Sequence, residues 1–169
     1  MSRRKDKLFK EILKIEIQWD GPFKPKTVIE KNNDSGRRPY YEGRDYGLYQ
    51  IYGNHILCGT DTLLYIGEAT DQTFSVRFSQ HQKEWLEREK GAQIYLGRIY
   101  DPKRHYRKDK WNSWREDVKI AERILIYKYS PHYNNVGISD FPKLSNSAQL
   151  IHSGKRHRLK KKDNAPEDF

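Results

Sequence analysis

The stretch GLYQIYG, residues 47–53, and the stretch LLYIGEATDQTFSVRFSQH, residues 63–81, together decide how the whole chain is read. The first run alternates as a strand does, GNHILCGTDT is rich in turn formers, and the second run opens as another strand. They predict an antiparallel pair joined by a hairpin over 53–62. The period then changes: over 72–90, Phe74, Phe78, Trp85 and Leu86 share one side of a helical wheel, while Arg77, His81, Glu84 and Arg88 line another. A sheet needs no such tyrosines and glycines for its own stability, and a helix needs no arginine four residues before a histidine. The plain reading of Tyr49 and Tyr65 is cross-strand ring packing; the sharper one is that they face a substrate.

Working toward the C-terminus, AQIYLGRIYD after Gly91 predicts a third strand, and PKRHYRKDKWN a basic loop carrying Lys103, Arg104, Arg107, Lys108 and Lys110. Ser113 with Glu116 reads as a capping box for a helix with the apolar stripe Trp114, Val118, Ala121 and Leu125. Pro131 stops that helix, and HYNNVG turns the chain away. Toward the N-terminus, Leu8, Phe9, Ile12 and Leu13 have helical spacing, Ile15, Ile17 and Trp19 alternate as a strand, TVIE at 27–30 reads as a second short strand, and NNDSGRRP as a loop. The rings of RPYYEGRDY, residues 38–46, suit either the core or stacking on unpaired bases.

These segments divide the chain into an extension at 1–40 packed on the rest, a main domain at 41–150 and a flexible basic tail at 151–169. The fold class expected is α/β of the α+β type: a small, mainly antiparallel, three-stranded central sheet flanked by helices. There is no internal repeat.

Charge narrows the partners. Lys and Arg number 33 against 23 Asp and Glu, a formal charge of +10, and like charge in excess works against a compact state. A polyanion is the natural partner; the bland alternative is a solvated surface with a basic tail, since KRHRLKKK at 155–162 holds part of the excess. The single Cys58 is read as excluding both an internal disulfide and any cysteine-based zinc site, so a reducing, cytoplasmic setting is expected. No apolar run of ~18 residues is present, so no membrane partner is expected. Histidines 55, 105, 132, 152 and 157 fall in expected loops or the tail without metal-ligand spacing.

Taken in order, Gly47-Leu48-Tyr49, Tyr65-Ile66-Gly67, Arg77 with His81, Glu122 within AERILIYKYSPHYNN, and Asn134 after a proline resemble the GIY-YIG nuclease family, over residues 47 to about 135. Fifteen residues separate Tyr49 from Tyr65, more than the family usually has. The resemblance implies a metal-dependent endonuclease. Glu122 would hold a single divalent ion, Mg²⁺ or Mn²⁺, completed by water and phosphate, and Tyr49 would be the general base with Tyr65 orienting water. Gly47, Gly67 and Asn134 would be supporting residues.

The residue chemistry is compatible with that. A phosphodiester repels nucleophiles with its anionic oxygens, and the planar fork of Arg77 can hold two of them and stabilise the charge of the transition state. A free phenol titrates near ~10, so Tyr49 needs neighbouring cations to act as a base. His81 is the other candidate for the proton.

The expected function is therefore metal-dependent hydrolysis of phosphodiester bonds in DNA, ahead of RNA, with Lys103, Arg104, Arg107, Lys108 and Lys110 gripping backbone phosphates. The alternative is a non-catalytic nucleic-acid-binding module using the same surface. One active centre cuts one strand at a time, which leaves room for an oligomer or a protein partner.

Overall fold

The structure is a computed structural model that describes residues 12–30, 46–99, 111–139 and 147–166. Its elements are β1 (Leu13–Phe23), α1 (Pro25–Glu30), β2 (Gly47–His55), β3 (Gly59–Ala69), α2 (Phe74–Glu84), β4 (Gln93–Ile99), α3 (Trp111–Tyr129), β5 (Ala148–Gly154) and β6 (Lys162–Asn164), with one 3₁₀ turn at Leu86–Arg88.

The strands form a single six-stranded sheet in the order β3-β2-β4-β1-β5-β6. All neighbours are antiparallel except β1 and β5, which run parallel from Leu13↔Ala148 to Trp19↔Gly154. The α+β class holds, but the three-stranded sheet was too small. The strands β3, β2 and β4 are that expected trio, and β1, β5 and β6 extend it.

Two helices cover opposite faces of the trio. Phe74 and Phe78 of α2 pack with Tyr49, Ile51, Ile94 and Leu96 on one side. Trp114, Val118, Ala121 and Leu125 of α3 pack with Leu48, Ile66, Ile17 and Trp19 on the other. Covered on both faces, β2 is buried from Gly47 to Gly53 without alternation, whereas β1 buries Ile15, Ile17 and Trp19 and exposes Lys14, Glu16 and Gln18 between them. Among the described residues, no helix is long and apolar enough to cross a membrane.

Four expectations are corrected. Residues 13–23 are not a layer laid on the domain: β1 is an interior strand between β4 and β5. TVIE lies in helix α1 rather than a strand, anchored by buried Val28, because Pro25 fits the first helical turn and sets its φ. Ser113 and Glu116 lie inside α3, which already runs from Trp111, so they do not cap it.

The fourth concerns the basic tail, which is not loose over its described part. Its residues form most of β5 and all of β6, Leu159 is buried, and both His157 and Arg158 reach Asp61 on β3. Most of the expected N-terminal helix, the 32–39 loop and RPYYEGRDY up to Arg44-Asp45 lie outside the described residues.

Candidate active site

Pairing between β2 and β3 places Tyr49 opposite Gly67 and Tyr65 opposite Ile51, so both tyrosines project from one face, toward α2. Their rings stack with centroids 6.0 Å apart and planes 16° from parallel. The glycines of both signatures have steric reasons. A Cβ on Gly67 would lie 2.5 Å from Tyr49 Cζ and 2.7 Å from Tyr65 Cε1, so only glycine lets the Tyr49 ring cross β3. Gly47 has φ +142°, where side chains are strained, and its Cβ would strike the Gly97 carbonyl.

Helix α2 starts with the Thr73 hydroxyl accepting from the Val76 amide, which sets Arg77 and His81 one turn apart above the tyrosines. Arg77 Nε donates to the Tyr49 hydroxyl at 3.2 Å, and that hydroxyl lies 2.8 Å from His81 Nε2. Because the Tyr49 oxygen accepts from Arg77, its own proton is free to go to His81 Nε2. The imidazole proton then sits on Nδ1, facing Glu84 Oε2 across 3.6 Å, an electrostatic contact too long for a hydrogen bond.

Electrostatics redistribute the expected roles. Burial pushes the Tyr49 phenol well above its ordinary value, and the proximity of Tyr65 adds to this; Arg77 pulls it back only in part. The expected cation-stabilised phenolate is therefore not met. Burial, reinforced by the Arg77 charge, lowers His81 to about 4, so the imidazole is neutral at pH 7 and its Nε2 accepts from the Tyr49 hydroxyl, while its protonated form is disfavoured.

Strand β3 is an edge strand, and its free edge joins the two faces. Asn134 receives the Ile66 amide on its Oδ1 at 3.0 Å and donates its Nδ2 to the Ile66 carbonyl at 2.8 Å, while the Tyr133 amide bonds the Leu64 carbonyl at 2.8 Å. Asn134 thus acts as an extra strand partner that fixes the segment after α3 against the edge. A cavity of about 1000 Å³ opens there, with Tyr65, Arg77, His81 and Glu122 all in its wall. Tyr49 lies just behind that wall, fully buried.

Glu122 comes from α3, on the opposite face from Arg77. Burial, with the nearby Glu68 carboxylate adding to it and Arg123 and Arg77 opposing both, raises its carboxyl to about 7. Glu68 was missed in the sequence, as was Arg123, which also lines the cavity. Alternation on β3 turns Glu68, next after Gly67, toward α3, and its Oε2 is buried without a hydrogen-bond partner. Two carboxylates that repel each other, one with an orphaned oxygen, fit a hard divalent cation; no thiolate or imidazole is needed for such an ion.

The fold therefore gathers Tyr49, Tyr65, Arg77, His81, Glu122 and Asn134 near the β3 edge of the sheet, with Gly67 making room for the Tyr49 ring and Gly47 letting β2 approach Gly97 of β4. Lys103, Arg104, Arg107, Lys108 and Lys110 lie outside the described residues. A scan against protein-family models, a search of curated proteins and a search of solved structures each find no match.

Proposed function

We propose that the chain is a metal-dependent endonuclease that hydrolyses phosphodiester bonds in DNA. The observation that carries this reading is the convergence, at one cavity, of a guanidinium and a neutral imidazole from α2 with the Glu122 carboxyl of α3, whose electrostatic neighbour is Glu68 of β3. Arg77, 3.2 Å from the Tyr49 oxygen, supplies fixed charge for a phosphate seated in the cavity, and Arg123 adds a second cation on its wall. Glu122, with Glu68 beside it, would hold Mg²⁺ or Mn²⁺, and the ion would supply positive charge to stabilise the phosphate and the leaving oxygen.

For the attacking water, a balanced proton path starts at Tyr49. The water's O–H bond breaks as its proton passes to the Tyr49 oxygen, and the phenolic proton moves to His81 Nε2. The imidazolium so formed is disfavoured by burial and by Arg77, and is offset by Glu84 at 3.6 Å and by the negative charge of a phosphate seated against Arg77. Tyr65, in the cavity wall, orients the water. Because the Tyr49 hydroxyl lies behind that wall, seating of substrate has to admit one water to it. The net charge of +10 favours a polyanionic substrate and makes binding salt-dependent.

The second reading, a non-catalytic nucleic-acid-binding module, is favoured by the complete burial of Tyr49. Nicking of supercoiled plasmid at low salt separates the two. Wild-type protein is expected to nick only with Mg²⁺ or Mn²⁺, and identically prepared Glu122→Ala to bind DNA without nicking it. Equal nicking by both would overturn the metal assignment, and no nicking of plasmid, branched DNA, single strands or RNA by wild type would leave the binding module standing.

A further inference from the structure

We propose that His55, Cys58 and His132 form a zinc site that staples the β2–β3 hairpin turn to the segment following α3. The ligand atoms of these three residues all lie within 4.8 Å of one another. His55 closes the hairpin, paired with Gly59 across the Ile56–Cys58 turn, whereas His132 arrives from far along the chain, just beyond Pro131. None of the three lines the active-site cavity, so this site is separate from the Glu68–Glu122 pair.

Backbone contacts hold the ligands in place before any metal arrives. The His132 and Tyr133 amides bond the Leu63 and Leu64 carbonyls of β3 at 3.4 and 2.8 Å, which fixes His132 beside the hairpin. The two imidazoles stack with centroids 4.3 Å apart and planes 20° from parallel.

Ligand–ligand separations in tetrahedral zinc sites follow from bond lengths of about 2.0–2.3 Å and come to roughly 3.3–3.8 Å. Side-chain rotation of about an ångström closes the difference from 4.8 Å. Among the described residues, the hydrogen bonds that compete for these ligand atoms are long ones, from the Leu57 and Cys58 amides to His55 Nδ1 at 3.4 and 3.3 Å, so displacing them costs little.

Donor chemistry selects the ion. One thiolate and two imidazoles suit Zn²⁺ and reject Mg²⁺, and with His132 and Cys58 exposed the fourth position is open to water. The bound ion would steady the stretch that begins at His132 and includes Asn134, the residue pinned to Ile66 at the cavity wall.

The test uses the full chain, stripped with a chelator and titrated with Zn²⁺, and separately with Co²⁺ as an optical reporter. Wild type is expected to take up one equivalent of Zn²⁺ with a rise in melting temperature, and its Co²⁺ form to show a sulfur-to-cobalt charge-transfer band. Cys58→Ser should abolish the band, and both Cys58→Ser and His132→Gln should weaken Zn²⁺ binding by at least about tenfold. Glu122→Ala should bind Zn²⁺ as wild type does. All three ligand positions are at least partly exposed, so these variants are expected to fold. The proposal is overturned if wild type binds no stoichiometric Zn²⁺, if the band is absent, or if affinity survives in Cys58→Ser and His132→Gln but is lost in Glu122→Ala.

Discussion

His81 and His152 are both only 2 % exposed, and each sits between a hydrogen-bonding ring system and a carboxylate, yet they are built for different ends. The Trp19 indole donates to His152 Nδ1 at 3.0 Å, which leaves the imidazole proton on Nε2, facing Asp163 Oδ2 at 3.2 Å. Tyr129 donates to the same oxygen at 2.9 Å. Burial alone would raise the Asp163 carboxyl, but hydrogen bonds from His152 and Tyr129 outweigh it and hold the group below its ordinary value. Trp19, His152 and Asp163 come from β1, β5 and β6, so this sealed cluster stitches three adjacent strands.

Around His81 the carboxylate is Glu84, well exposed and 3.6 Å away, and the imidazole accepts from Tyr49 beside an open cavity. Proximity of histidine to carboxylate therefore does not identify a catalytic group. What separates the two is whether the ring is left with a proton to gain and a route for it.

The sharpest way to break this contrast is a pair of truncations. Arg77→Ala is expected to cut the nicking rate by about 10²–10³-fold, the scale for losing a charged transition-state contact, and to shift the melting temperature by only a few degrees. Asp163→Ala should leave the folded protein's specific nicking rate near wild type. It exposes the buried His152–Asp163 contact to an unpaired partner, at a cost of about 3 kcal/mol and roughly 6–12 °C in melting temperature for a chain of this size. If Asp163→Ala abolished nicking in protein that remains folded, or Arg77→Ala melted as far, the two clusters would not be distinct in kind.

The difference also explains what was legible in the sequence. Tyr49 and the cavity residues Tyr65, Arg77 and His81 sit on a hairpin and the helix that follows it, so their spacing reports their proximity directly. Glu122 and Asn134 are separated by one helix end, again a local relation. Glu68 was readable in principle from strand alternation, but a lone carboxylate beside a signature glycine carries no signal until α3 is placed over that face.

His152 and Asp163 gave no such signal. They fall in a stretch whose charge reads as a solvated tail, and the parallel pairing of β5 with β1 joins residues more than a hundred positions apart, which no local period encodes. The same reasoning applies to His132, whose distance in sequence from His55 and Cys58 hid a cluster that folding assembles.

Tyr49→Phe sharpens the contrast from within the site. It keeps the ring that stacks on Tyr65 and packs against Phe78 at 4.8 Å, and removes only the hydroxyl between Arg77 and His81. A loss of about a hundredfold in nicking rate is expected if that hydroxyl relays the proton, with roughly 1 kcal/mol of stability lost as His81 Nε2 goes unpartnered. Single-turnover rates with urea unfolding of the same samples measure both. An unchanged rate would remove Tyr49 from the proton path and leave it a structural hydrogen-bond partner, as Trp19 is for His152.

The pH dependence of stability is the most diagnostic readout, because Glu122 and His81 give it opposite slopes. Glu122 is raised from 4.5 to about 7 in the folded chain. Between those values the folded state keeps a proton that the unfolded state has released, so stability falls as pH rises. His81 is lowered from 6.5 to about 4; between those values only the unfolded state holds the proton, so stability rises with pH. The slopes oppose each other from pH 4.5 to 6.5, and wild type should be nearly flat there. Glu122→Gln should unmask the rise and exceed wild type by on the order of 2 kcal/mol at pH 8, whereas His81→Gln should unmask the fall. Mg²⁺ should lift wild type toward Glu122→Gln at pH 8 and do nothing for that variant, since the ion favours the ionised carboxylate. Denaturant unfolding from pH 4 to 8, with and without Mg²⁺, reads all of this. A Mg²⁺ effect that persists in Glu122→Gln would move the metal off this pair, and Asp163, whose contribution is lost only as pH falls through its lowered value, should leave the whole window untouched.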